Sequence, residues 1–153
     1  MVKGLTIRPA VESDVPAAFA MIEELAVFEK SAHLIKTSAE ELREACFGEH
    51  RVCELTMAEV NGSPVGIAIC YVAYSTWKGP YLYLEDFIVK EGYRSVGIGS
   101  ALFTYLMELC KARKYRMMGW QVLDWNEGAI RFYKKFGAEL QTEWLNGRIY
   151  FEE

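Results

Sequence analysis

Histidine is nearly missing from this chain, with only His33 and His50, and that scarcity removes the commonest donors for a zinc centre. The four cysteines, Cys46, Cys53, Cys70 and Cys110, show no Cys-x-x-Cys spacing. Reduced, structural thiols and no metal are therefore expected. Blocks of lysine and arginine are also lacking. Seventeen basic against 21 acidic side chains leave a formal charge of −4 and a pI near 5.3, the wrong sign for a general nucleic-acid binder. No run approaches the roughly 18 apolar residues of a membrane span. The opening Met1-Val-Lys3-Gly4-Leu5-Thr6 has no apolar signal core. A cytoplasmic protein that engages neither membrane nor nucleic acid is the expectation. Repeats, linkers and low-complexity tracts are missing too.

What remains is ordinary globular composition: 52% hydrophobic and 25% charged over 153 residues, enough to bury one core without disulfides. A single domain spanning residues 1–153 is expected, and an acidic surface suits a cationic substrate.

Alternating side chains at Leu5-Thr6-Ile7-Arg8 predict a first strand, limited by Pro9. Ser13 or Asp14 offers a cap for a helix that accepts Pro16 in its first turn and carries an apolar stripe through Phe19, Ile22, Ala26 and Val27 toward Phe28-Glu29-Lys30. Ser38-Ala-Glu-Glu41 has capping-box form for a short helix ended by Gly48. Strand-like runs at 52–60 and 65–74 are joined through Asn61-Gly62, a dipeptide suited to a tight hairpin. Tyr81 to Val89 reads as a central strand, hydrophobic on both faces except where Glu85-Asp86 interrupts it. Ser100 to Lys114 has helical spacing, and Met117 to Leu123 returns as a strand. Asn126 caps a last helix through Phe136, Gly137 ends it, and Asn146-Gly147 is expected to join two terminal strands, Glu139 to Trp144 and Arg148 to Phe151.

The segment Val89-Lys-Glu-Gly-Tyr93-Arg94-Ser95-Val96-Gly97-Ile98-Gly99-Ser100 sets two residues without side chains between a buried strand and a helix. Successive amides there can point outward together and bind phosphate oxygens. Taken alone, such glycines equally well make a plain turn. Arg94-x-x-Gly97-x-Gly99 after a strand resembles the pyrophosphate-binding motif of the GNAT acetyltransferase superfamily, and the lysine-serine ending of a Walker loop is lacking. The resemblance runs through Leu84-Glu85-Asp86-Phe87, Tyr93-Arg94, Gly97-Ile98-Gly99-Ser100, Asp124-Trp125-Asn126 and Phe132-Tyr133, in that order. It is similar to the diamine and thialysine branch of that superfamily.

The resemblance implies an α/β fold with a mixed, mostly antiparallel sheet flanked by helices, splayed to admit a pantetheine arm, and a homodimer. It implies acetyl-CoA as cosubstrate, held by the backbone of Phe87, Ile88 and Val89 and by Arg94, Ser95, Val96, Gly97, Ile98, Gly99 and Ser100. Asn126 and Tyr133 would complete that site. Chemistry agrees on Tyr133, since a thiolate leaves more easily when a phenol protonates its sulfur. A primary ammonium must lose a proton before it attacks, which makes Glu85 the candidate base. Strand alternation sends Glu85 and Asp86 to opposite faces unless a bulge intervenes. Glu29, Trp77, Glu85 and Asp86 are the expected amine pocket. Lys30, His33 and Lys36 follow Glu29 where the polyamine enzymes carry more carboxylates. A thialysine-like amino acid is therefore favoured over a diamine or polyamine, with a non-catalytic CoA-binding module as the alternative of another class.

Overall fold

The computed structural model describes residues 1–151. By internal contacts the chain forms two compact units, residues 1–120 and a smaller one from Gln121 onward. The first unit holds a five-stranded sheet in the order β1-β2-β3-β4-β5: Leu5–Pro9, Glu54–Val60, Ser63–Ser75, Gly79–Val89 and Met118–Trp120. Strands β1 to β4 pair antiparallel and β4 pairs parallel with β5, so the expected mixed, mostly antiparallel α/β sheet is present.

Local chemistry explains most of the elements. Asn61 (φ 49°) and Gly62 (φ 81°) make the β2–β3 turn with both central residues left-handed, as a two-residue hairpin demands. In α2 (Ala39–Phe47) the Ser38 hydroxyl accepts the Glu41 amide at 3.2 Å and Gly48 closes the end. The first helix, α1 (Val15–Phe28), departs from expectation at its start. Asp14 occupies the cap position but gives the helix no side-chain bond. Its carboxylate instead accepts the Val11 amide at 2.8 Å and Arg8 Nη1 at 2.7 Å, while Arg8 also reaches Glu59 at 3.0 Å. The guanidinium outcompetes the helix amides for this carboxylate because a charge-assisted pair is the stronger bond. Arg8 holds the Asp14 carboxyl below its ordinary range, and two strands and the helix entrance are tied at one point.

One face of the sheet, with Leu55, Met57, Ile67, Ile69 and Ile88, packs on Ala18 and Met21 of α1 and Cys46 of α2. Alternation turns Phe87 to the other face, where Phe103 of α3 (Ile98–Ala112) meets it edge-on at 5.8 Å and meets Trp120 at 5.4 Å. Leu102, Phe103 and Leu106 of α3 are all buried. Burial of this kind is worth about 2 kcal/mol per side chain.

The second unit contains α4 (Glu127–Lys135). The two terminal strands expected at Glu139 to Trp144 and Arg148 to Phe151 do not form, and β5 stops at Trp120 rather than Leu123. Trp144, Leu145, Ile149, Tyr150 and Phe151 are exposed. Composition and the Asn146-Gly147 dipeptide satisfy local strand chemistry, but a strand exists only where a neighbour supplies a hydrogen-bonding edge, and none does among the described residues.

The helix α3 closes with Lys114 in the left-handed region (φ 59°), its amide on Lys111 O and that of Tyr115 on Cys110 O. This is a double-bonded helix end that normally uses glycine. Lys114→Gly is expected to raise unfolding stability by about 1 kcal/mol, read as a higher urea midpoint at unchanged slope.

Candidate active site

Strand β4 carries the chemistry, and its pairing with β3 slips once. Ile69 faces Asp86 and Cys70 faces Leu84, so Glu85 has no residue opposite it. This bulge resolves the alternation problem: Glu85 and Asp86 are released from strictly opposite faces. Glu85 is exposed and Asp86 only partly so. Burial, then the charges of Glu85 and Glu29, push the Asp86 carboxyl up to about 6. Glu29, the residue that caps the end of α1, is itself raised by burial. Three carboxylates from two elements thus share one field, and it favours a cation.

On its other edge β4 keeps β5 as a partner over a short stretch, from Leu82↔Met118 through Tyr83↔Gly119 to Leu84↔Trp120. From Glu85 to Val89 no strand pairs with that edge among the described residues. The free edge leads into the glycine segment. There Arg94 Nε donates to Val89 O at 2.8 Å, Ser95 turns left-handed at φ 64°, and Gly97 at φ 97° caps α3. Among the described residues no side chain caps this helix, and no acid lies in its first turn. A Cβ at Gly97 would meet nothing within 4 Å, so the space beside the helix cap is open. An uncapped helix N-terminus following a left-handed residue fits a pyrophosphate, and the free strand edge fits an amide-bearing arm attached to it.

In the second unit Asn126 Oδ1 accepts the Ala129 amide at 3.2 Å, so this residue shapes the start of α4. Tyr133 is 7% exposed and stands edge-on to Phe132, ring centres 5.4 Å apart. Trp77 lies in the β3–β4 turn, where Ser75 Oγ accepts its amide at 3.2 Å, and it is 89% exposed. At about 3.3 Å per residue, Trp77 sits roughly 20 Å along the strand from Glu85. The structure therefore gathers Glu29, Glu85 and Asp86 and leaves Trp77 apart from them.

Two features escaped the sequence reading. Asp86 is electrostatically strained, by burial first and then by the charges of Glu85 and Glu29, and Glu29 comes from a distant helix end that the strand pattern does not show. Cys53, at the foot of β2, lies close enough to Glu85 and Asp86 for their charges to add to burial in raising its pKa. It lines an open cavity of about 840 Å³ with Cys46, Glu54, Tyr71 and Arg113. Burial pushes Cys46 up to about 11 and Cys70 up to about 12, and Cys110 also upward. All four thiols are thus held protonated, the opposite of an activated nucleophile.

An uncapped helix N-terminus following a strand edge without a strand partner, together with a carboxylate cluster, suits a protein that takes a pyrophosphate-bearing donor and a cationic acceptor. Residues 18–138 match the family model described as Acetyltransferase (GNAT) family, and the chain belongs to that family of acetyltransferases. The thialysine N-epsilon-acetyltransferase of Mus musculus is 39% identical over 154 aligned residues, covering 94% of this chain and 91% of that protein. The human spermidine/spermine N(1)-acetyltransferase-like protein 1 is 32% identical over 90% of this chain but only 21% of its own length. Among solved structures, an aminoglycoside acetyltransferase, meta-AAC0020 from an uncultured soil metagenomic sample, in complex with sisomicin, superposes with a TM-score of 0.78. Its identity is 19%, over 96% of this chain and 97% of that one, which establishes the shared fold.

Two outcomes test this site. Gly97→Ala forces a side chain into a left-handed backbone and should weaken coenzyme A binding about ten-fold, read by calorimetry. Asp86→Asn should stabilise the protein at pH 7.5. A carboxyl raised to about 6 in the fold holds its proton more tightly there than in the unfolded chain. Its ionisation therefore costs stability as pH rises from about 4 to 6. The gain in thermal midpoint should vanish near pH 4, and a gain that persists there would contradict the assignment.

Proposed function

We propose that this chain transfers acetyl from acetyl-CoA to the side-chain primary amine of a lysine-like amino acid such as thialysine, by direct attack in a ternary complex. The observation that carries the reading is the bulge at Glu85: it sets two carboxylates at the point where β4 loses its β5 partner. The high-coverage relatives named for thialysine support the same substrate class.

In this reading Glu29 and Asp86 hold the ammonium, and Glu85, exposed to solvent, takes its proton directly or through a water. The freed amine attacks the thioester carbonyl, whose oxygen is polarised by amides of Phe87 to Val89. The carbon–sulfur bond breaks, and Tyr133 protonates the departing thiolate, drawing its own proton back from solvent. Residues 1–153 act as one catalytic domain, with Asn126 and Tyr133 completing the donor site. The chemistry calls for no metal. The raised pKa of every cysteine supports direct transfer over an acetyl-cysteine intermediate. The family resemblance supports a cytoplasmic homodimer.

One observation favours a second reading. Clustered Glu29, Glu85 and Asp86 would also suit a diamine or polyamine, although Lys30, His33 and Lys36 follow Glu29 in the chain. A thiol-release assay with acetyl-CoA decides between them. Thialysine, lysine and ornithine should exceed diamines, spermidine and spermine in kcat/KM, and a reversed order would give the second reading. Tight acetyl-CoA binding without turnover of any amine would indicate a binding module instead.

Tyr133→Phe should lower kcat about 100-fold with little change in the KM for acetyl-CoA. Glu85→Gln should lower kcat/KM for the amine, with the loss shrinking as pH rises and solvent takes over deprotonation. A loss that stays constant from neutral to strongly alkaline pH would exclude Glu85 as the base.

A further inference from the structure

The end of α1 and the start of the glycine segment meet through one side-chain pair that neither half of the proposed site requires. The Arg94 guanidinium lies over the Phe28 ring, 5.9 Å from its centre, while Arg94 Nε is fixed to Val89 O at 2.8 Å. Arg94 thus folds back across the end of β4 and rests on the last residue of α1. The next residue is Glu29, whose carboxylate contributes to the field on Asp86. Phe28 therefore belongs to the same rigid helix end as an acceptor residue, and it touches the residue that opens the phosphate nest. That helix end is itself closed by main-chain bonds, Lys30 N to Val27 O at 3.0 Å and Ser31 N to Ala26 O at 2.8 Å, so a shift of Phe28 carries Glu29 with it.

We propose that Phe28 is a positioning residue that couples the two substrates: a pyrophosphate at the nest holds the Arg94 cation in place, the cation holds the Phe28 ring, and the ring sets Glu29 against the incoming amine. This rests on the amine-transfer reading and deepens it. Coupling of this kind is reciprocal, so coenzyme A tightens amine binding by the factor by which the amine tightens coenzyme A. A cation over a half-exposed ring sets that factor at about two- to five-fold.

The test is calorimetric titration of the best acceptor amine into the full chain, with and without saturating coenzyme A, whose free thiol prevents turnover. Wild type should show the two- to five-fold tightening. Phe28→Leu should bring the factor close to one and raise the KM for the amine in the assay while kcat holds. Phe28→Trp, which keeps an aromatic face, should retain the factor. Phe28 is 47% exposed, so both variants should keep their thermal midpoints. A Phe28→Leu protein with the wild-type factor, or a wild type without coupling, overturns the proposal while turnover of the amine leaves the acetyltransferase reading standing. If wild type binds coenzyme A but acetylates no amine, that reading and this proposal fail together.

Discussion

A β-strand that loses a neighbour must offer its amides to something else, and the loss of β5 beside β4 after Leu84 is the constraint on which the rest of the site depends. From Leu82 to Leu84 β4 is an interior strand, paired on both sides. Beyond that point one edge has no strand beside it among the described residues, from Glu85 to Val89. The bulge falls at the first of these, so the extra residue that twists the strand is also the one freed to face a substrate. A short turn at Glu91–Tyr93 then leads from β4 to the uncapped amide cluster that starts α3 at Ile98, so a strand edge without a strand partner and an uncapped helix terminus follow one another in the chain. A donor substrate with amide groups at one end and phosphates at the other is what such a succession matches.

The acidic side of the site shows what this arrangement costs. Asp86 sits partly buried among like charges, and its carboxyl responds by holding its proton to about pH 6. Elsewhere in the same unit, carboxylates that serve the fold are each given a guanidinium. Arg8 serves Asp14 and Glu59, and Arg113 Nη1 donates to Glu54 at 2.8 Å. The contrast separates structural acids from functional ones on physical grounds. Asp14, paired with Arg8, has its pKa lowered and stabilises the fold at neutral pH, whereas Asp86, kept near other acids, is destabilising until a cation arrives. The amine substrate would be that cation.

Much of this was legible in the sequence, and for local reasons. Asn61-Gly62, Ser38 with Glu41, Asn126 and Gly97 each encode a backbone conformation or a cap that depends on few neighbours, and each appears as read. The long-range features were not legible. Nothing in Leu84-Glu85-Asp86-Phe87 fixes which residue bulges, because the slip is set by the register of β3 across from it. Asp14 looked like a helix cap, but Arg8 claimed it, and the pairing of β1 with β2 is what brings Glu59 to the same guanidinium. The terminal segments had strand composition without a partner edge. Likewise the Phe28–Arg94 contact joins two motifs separated by most of the sheet, and no spacing rule connects them.

The position of Glu29 shows how one scaffold can change acceptors without rebuilding its donor half. Its helix ends through main-chain bonds of Lys30 and Ser31, and Ser31 Oγ donates to Glu29 O at 3.1 Å, so that helix end, with the Ser31 hydroxyl, places Glu29. Lys30 adopts the left-handed conformation there (φ 59°), and a short turn carries His33 onward. In the proposed reading, charges could be exchanged at residues 33 and 36 while Glu29 keeps its place relative to Asp86. A cationic residue near the pocket penalises a polycation and favours an acceptor that brings its own carboxylate. In the proposed reading specificity would reside in a few side chains after α1, and the donor nest, built almost wholly from backbone, would be unaffected by the change.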